Sequence, residues 1–309
     1  MNAIEELRPM LITTDQLLSR GMTSQKVSQS VASGELIRIR PGFYVEGRAR
    51  ELRRKDRHLL SVLAANSALD GPIFSHSSAA LVHGLPGWGL PLRKVSVSED
   101  CARARSRTSR LVDFHCVPNL HDDVSTVNGL RVTNAERTVT EVAMTAGRDA
   151  SVAVADAALN SGTTTPESLD LAMRRAAGRP GIKRARLAMS LGDAKSESVA
   201  ESLSRLTFRD FGLPEPESQV EIFTPSGARV ARVDFLWHEY GVVGECDGFG
   251  KYFDSASPAE SRHRLGMEKD RDAELTALGY RVLHWRWRDL EEPHLLAARI
   301  RRVLFSAAA

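Results

Sequence analysis

The sequence predicts a mixed α/β protein in three parts: a winged helix over 1–54, a mixed α/β middle domain over 55–192 and a C-terminal αβββαβ domain over 193–309. Three observations predict it. At 309 residues the chain can bury two or three cores, since a domain holds roughly 100 to 200 residues. Hydrophobic and charged shares of 42% and 26% are those of a folded globular protein and exclude long disorder. Helix-period and strand-period patterns, bounded by caps and Gly/Pro turns, also alternate along the chain.

In the first part, Thr14 or Asp15 is placed to cap a short helix through Ser19. Gly21 breaks it, and Thr23 can N-cap a second helix over Ser24–Ala32, which ends at Ser33-Gly34. Leu36-Ile37-Arg38-Ile39-Arg40 alternates apolar and basic residues, Pro41-Gly42 turns, and Phe43-Tyr44-Val45 returns as a second strand. In this winged helix the second helix would enter a major groove of double-stranded DNA with Ser24, Gln25, Lys26, Ser28 and Gln29. The wing would hold Arg38, Arg40 and Arg48 near phosphates. Charge distribution points the same way. Net charge is only +3, but residues 1–58 carry eleven Lys/Arg against seven Asp/Glu, and Arg174 to Arg186 has six cations and no acid. Such runs attract phosphate through counterion release or solvate a helix face. Helix-turn-helix units also serve as protein-protein modules.

The middle segment starts with a helix over Asp56–Ala68. Ser75 caps another helix through Val82, before Gly84 and Pro86. Strands are expected at Lys94–Val97 and Leu111–Val117. Asn128-Gly129 signals a hairpin between Val124–Val127 and Leu130–Val132, and Thr133 or Asn134 caps a helix through Met144. Helices over Ala150–Leu159, Pro166–Ala177 and Ile182–Leu191 follow, with Arg179-Pro180-Gly181 as a candidate hinge. No catalytic set assembles here. His76 and His83 lack the glutamate of an HExxH zinc motif and read as satisfied core or cap histidines. Cys101, Cys116 and Cys246, odd in number and without CxxC spacing, indicate neither a disulfide framework nor a zinc knuckle and read as buried apolar residues. No run of 18 apolar residues occurs, and MNAIEELRPM has two glutamates where a signal peptide is basic. A cytoplasmic protein without a membrane partner is expected.

The third part carries the chemistry. A helix over Glu197–Asp210 leads to strands at Gln219–Phe223, Ala228–Trp237 and Gly241–Glu245, a long helix over Ala259–Leu278, a strand at Arg281–Trp285 and a last helix over Pro293–Phe305. Asp234 interrupts the apolar strand Val233–Trp237, and Glu245 ends another. Two carboxylates at one strand edge repel unless a divalent cation neutralises them, and such oxygen ligands suit Mg²⁺ or Mn²⁺. Glu201 would reach the same ion directly or through water. The structural alternative has Asp234 capping a bulge and Glu245 pairing with a helix arginine.

Four segments then count together: Ser198-Val199-Ala200-Glu201-Ser202-Leu203, Val233-Asp234-Phe235, Gly244-Glu245-Cys246-Asp247-Gly248 and Glu268-Lys269-Asp270-Arg271-Asp272. They are followed by Leu278-Gly279-Tyr280 and Arg281-Val282-Leu283-His284-Trp285. Over the last third of the chain they resemble the very-short-patch-repair-like branch of the PD-(D/E)XK endonucleases. The resemblance implies a restriction-endonuclease-like fold, Glu201, Asp234 and Glu245 as metal ligands with the Cys246 carbonyl as a further one, and Mg²⁺-dependent phosphodiester hydrolysis. The general pattern has a catalytic lysine where this chain has Asp247, so Lys251 or Lys269 is left to supply the cation. If neither does, the domain binds DNA without cutting it. Residues 11–45, and more loosely Phe74–Pro86 and Asn128–Thr140, resemble the AbiEi antitoxins of type IV toxin-antitoxin systems. That implies a repressor of its own operon with a cognate toxin as partner.

Overall fold

The computed structural model describes residues 3–100, 105–247 and 258–306. The chain divides into two units, Met1–Ser190 and Leu191–Ala309, and each mixes helices with sheet.

The first unit opens with α1 (Ala3–Leu7), β1 (Ile12–Thr13), α2 (Thr14–Ser19), α3 (Ser24–Ser33), β2 (Leu36–Arg40) and β3 (Phe43–Glu46). Thr13 caps α2, not Thr14 or Asp15: its hydroxyl accepts from Gln16 N, and its N–H donates to Gln16 Oε1 at 2.8 Å. A cap needs extended backbone, which Thr13 has and the helical Thr14 lacks. Thr23 caps α3 as expected, and Gly34 ends it at φ +82°. The strands pair in the order β1-β3-β2, and Ile12, Leu17, Val27, Leu36 and Tyr44 fill the small core that holds α2 and α3 on them.

There follow α4 (Arg54–Ala68), β4 (Ile73–Phe74), α5 (His76–Val82), β5 (Val95–Asp100), β6 (Arg107–Thr108), β7 (Val112–Val117), β8 (Val124–Val127), β9 (Leu130–Thr133), α6 (Ala135–Thr145), α7 (Arg148–Asn160), α8 (Pro166–Arg175) and α9 (Ile182–Met189). The six strands order as β6-β7-β5-β4-β9-β8. Asn128 and Gly129 take φ of +54° and +76°, which closes the β8/β9 hairpin where the dipeptide predicts it. Ile4, Leu7 and Val45 share one apolar core with Leu60, Phe74, Val139 and Val154. Residues on both sides of position 54/55 therefore share a continuous core.

Two further expectations are corrected in this unit. Arg179-Pro180-Gly181 is not a hinge. Gly181, at φ +89°, lies so close to the Met144 carbonyl that a Cβ would collide with it, and Arg184 donates to the same oxygen, so the segment is pinned to α6. Three of the six cations in the basic run from Arg174 meet acids, Arg174 on Asp170, Arg175 on Asp123 and Arg179 on Glu141. Cys116 is half-buried and disulfide-bonded rather than a free apolar side chain, and Cys101 lies outside the described residues.

The second unit holds α10 (Val199–Asp210), β10 (Glu217–Phe223), β11 (Arg229–Trp237), β12 (Val242–Asp247), α11 (Pro258–Ala277), β13 (Arg281–Arg286), α12 (Trp287–Leu290) and α13 (Pro293–Phe305). The sheet runs β10-β11-β12-β13, antiparallel except for the parallel β12/β13 pair. Phe208, Phe235, Trp237, Trp285 and Ile300 pack on one face, and Ile222, Val233, Leu236, Val243 and Leu275 on the other. Gly244 is required by the first face: a Cβ there would fall 2.6 Å from Trp285 and 2.9 Å from Trp237. Among the described residues no helix is long and apolar enough to cross a membrane.

Candidate functional site

Local structure in the second unit brings the predicted acids together. Ser198 caps α10, accepting from Glu201 N at 3.2 Å and donating its hydroxyl to Glu201 Oε1 at 2.7 Å, which turns the Glu201 carboxylate back over the helix start. Glu201 Oε2 accepts from Glu197 N at 3.0 Å and from Gln219 Nε2 at 2.8 Å. The same Gln219 nitrogen lies 3.3 Å from Asp234 Oδ1, while Asp234 Oδ2 accepts from Cys246 N at 2.8 Å. The antiparallel register pairs Phe235 with Gly244, so that Asp234 and Glu245 are the next residues beyond that pair on the two strands.

The electrostatics follow from that crowding. Burial raises the Glu201 carboxyl above its ordinary range, the Glu197 amide and the Ser198 hydroxyl oppose this, and the Asp234 charge adds to it. Glu245 is pushed up to about 8 by burial and then by Asp234; Arg271 works against this, and Asp272 and Asp247 reinforce it. Arg271 comes within 3.3 Å of Glu245 but without the alignment of a hydrogen bond, leaving Glu245 Oε1 and Arg271 Nε buried without hydrogen-bond partners. The arginine pairing of the structural alternative is thus present, and it does not balance the acids. Burial also pushes the Cys246 thiol up to about 12, 3.6 Å from Ser204 Oγ, so it is no nucleophile.

The remaining predicted residues scatter. Asp247 ends β12, 4.0 Å from Arg286. Lys269 is exposed; two residues on, Arg271 is the described cation beside Glu245, because a two-residue step crosses to the other side of a helix. Lys251 lies outside the described residues. Ser24, Gln25, Lys26, Ser28 and Gln29 are all exposed around the buried Val27, and Arg38 is exposed with Arg40 half-buried. Arg48 is not in the wing: it follows β3 in the turn Gly47–Glu51 and pairs with Glu46 at 2.9 Å.

Sequence reasoning missed two groups. Gln219 gave no signal, since a glutamine in a half-exposed strand is unremarkable, and only the fold reveals its contacts. The other is a buried cluster in the first unit around Glu141, which is fully buried on α6. Arg137 Nε lies 3.0 Å from it, Arg179 at 3.5 Å and His76 Nδ1 at 3.4 Å. Burial raises this carboxyl, but His76, Arg137 and Arg179 together hold it below the ordinary range. His76, at φ +51° and stacked on His115, is pushed down to about 4 by burial.

No family model matches the chain. It is 30% identical over 287 residues to the uncharacterized protein Rv2248 of Mycobacterium tuberculosis, and by the same figures to the uncharacterized protein MT2308 of another strain of that species. The match covers 92% of this chain and 97% of each relative.

Proposed function

The chain belongs to the family of the mycobacterial protein Rv2248, and we propose that this member binds double-stranded DNA and hydrolyses phosphodiester bonds in its second unit with Mg²⁺ or Mn²⁺. The observation that carries the reading is the crowding of Glu201, Asp234 and Glu245, three acids tied by hydrogen bonds and by charge, with burial penalising the ionisation of Glu201 and Glu245. Perturbed carboxyls of this kind concentrate at functional sites. The αβββαβ order and the mixed sheet support a restriction-endonuclease-like fold.

The donor set suits a hard cation, being carboxylate oxygen throughout, and Glu245 Oε1 is a buried acceptor with no donor of its own. Among the described residues no three His, Cys, Asp or Glu side chains stand as a preformed cage; hydrogen-bond donors hold Glu201 and Asp234 instead. Asp234 and Glu245 would hold the ion, with Glu201 directly or through water and the Cys246 carbonyl as a further ligand. Once bound, the ion supplies neutralisation of the carboxylates and of the charge that builds on an attacked phosphate. Arg271 takes the place of the family lysine beside Glu245 as a phosphate partner. In the first unit, the exposed polar face of α3 and the Arg38 and Arg40 wing support a winged-helix contact with duplex DNA.

A second reading is an AbiEi-type autorepressor, with a cognate toxin as partner and a non-cutting second unit; Asp247 at the lysine position favours it. Plasmid nicking separates the two. Wild type should nick supercoiled DNA with Mg²⁺ or Mn²⁺ and not with EDTA, and Asp234→Asn should lose at least about 100-fold in rate while melting no lower than wild type without metal. DNA binding without nicking under every metal condition would favour the repressor.

A further inference from the structure

Gln219 sits in mid-strand with φ +55°, although Ser218 pairs regularly with Phe235 and Val220 with Val233 on either side. Left-handed backbone is uncommon for a residue other than glycine, asparagine or aspartate, and such strain persists only where the surrounding structure imposes it, often at functional sites. The partner strand is irregular at the same level. Ala231 and Val233 pack with Leu275, whereas Phe235 and Trp237, of the same parity, pack with Phe208, so side-chain alternation slips at Asp234. The strained residue places one amide nitrogen 2.8 Å from Glu201 Oε2 and 3.3 Å from Asp234 Oδ1. An amide NH₂ carries two hydrogens, one for each carboxylate, and an ionised acid cannot supply either.

We infer that Gln219 is the positioning residue of this acid cluster: its side-chain amide, set by the left-handed backbone, bridges Glu201 and Asp234 and fixes their spacing for the divalent cation. The inference rests on the metal reading proposed above. Gln219 touches no reacting atom and acts through the two acids. Outer groups that orient metal ligands are typically worth about 10- to 100-fold in metal affinity.

The test is calorimetric titration of the full chain with Mn²⁺, for wild type, Gln219→Gly and Gln219→Ala, beside thermal melts without metal. Glycine suits this backbone, so Gln219→Gly keeps the fold and should melt at or above Gln219→Ala. Both variants should bind Mn²⁺ about 10- to 100-fold more weakly than wild type, because both lack the amide. If wild type binds and Gln219→Gly binds within about threefold of it, or more tightly, the inference is overturned and the metal reading stands. If wild type binds no Mn²⁺, both fall together.

Discussion

Glu141 in the first unit and Glu245 in the second are both buried acids, yet their surroundings drive them in opposite directions. Glu141 is ringed by Arg137, Arg179 and His76, which lower its carboxyl below the ordinary range despite complete burial. Glu245 faces Asp234, Asp272 and Asp247 with Arg271 as its described counter-charge, and it is pushed up to about 8. Burial acts alike on both, so the difference lies in the sign of the neighbours. A balanced buried acid is a structural tie; an acid among acids calls for a proton or a cation. Arg137 further donates to Asp123 and to the Asn119 and Pro118 carbonyls, while Glu141 Oε2, like Glu245 Oε1, is buried without a hydrogen-bond partner.

Glu141→Gln should give the largest effect. It leaves the buried Arg137 without its ionised partner, and breaking a buried pair costs about 3 to 5 kcal/mol. Urea denaturation of the full chain should show that loss in the first unit. A loss below about 1 kcal/mol, the worth of an exposed pair, would mean that the cluster is not a tie.

The two units should also respond to pH with opposite sign. His76 is depressed from 6.5 to about 4 and Glu141 lies below its usual range. Their stability contributions are present above the unfolded values and are lost as pH falls through this window. Glu245 is raised from 4.5 to about 8, so its contribution is complete below 4.5 and is lost as pH rises toward 8. Hydrogen exchange in EDTA, followed unit by unit between pH 5 and 8, should therefore show the first unit more protected at the high end and the second at the low end. Parallel trends in both units would break the comparison.

Arg271→Gln should give the smallest effect on stability. With Glu245 able to take up a proton near neutral pH, losing the guanidinium should cost about 1 kcal/mol or less in EDTA, the range of a partly exposed pair. A cost near that of Glu141→Gln would show that the Glu245 pair is structural after all.

Sequence alone determined the local elements, because caps, turns and periodicity act over a few residues. Thr23 and Gly34 bound α3, Asn128-Gly129 closes its hairpin, and the αβββαβ order of the second unit follows its apolar runs. It also singled out Glu201, Asp234 and Glu245, since an acid in an apolar strand or at a capped helix start stands out by chemistry. Tertiary structure decided the partners. Only the sheet register brings Gln219 between Glu201 and Asp234, only helix phase selects Arg271 over Lys269, and only the packing of α6 gathers His76 and Arg179 onto Glu141. Those contacts join residues up to 65 positions apart, as for His76 and Glu141. No local pattern encodes them, because the Coulomb and desolvation energies that shift a buried acid depend on distances in space that only the folded chain defines.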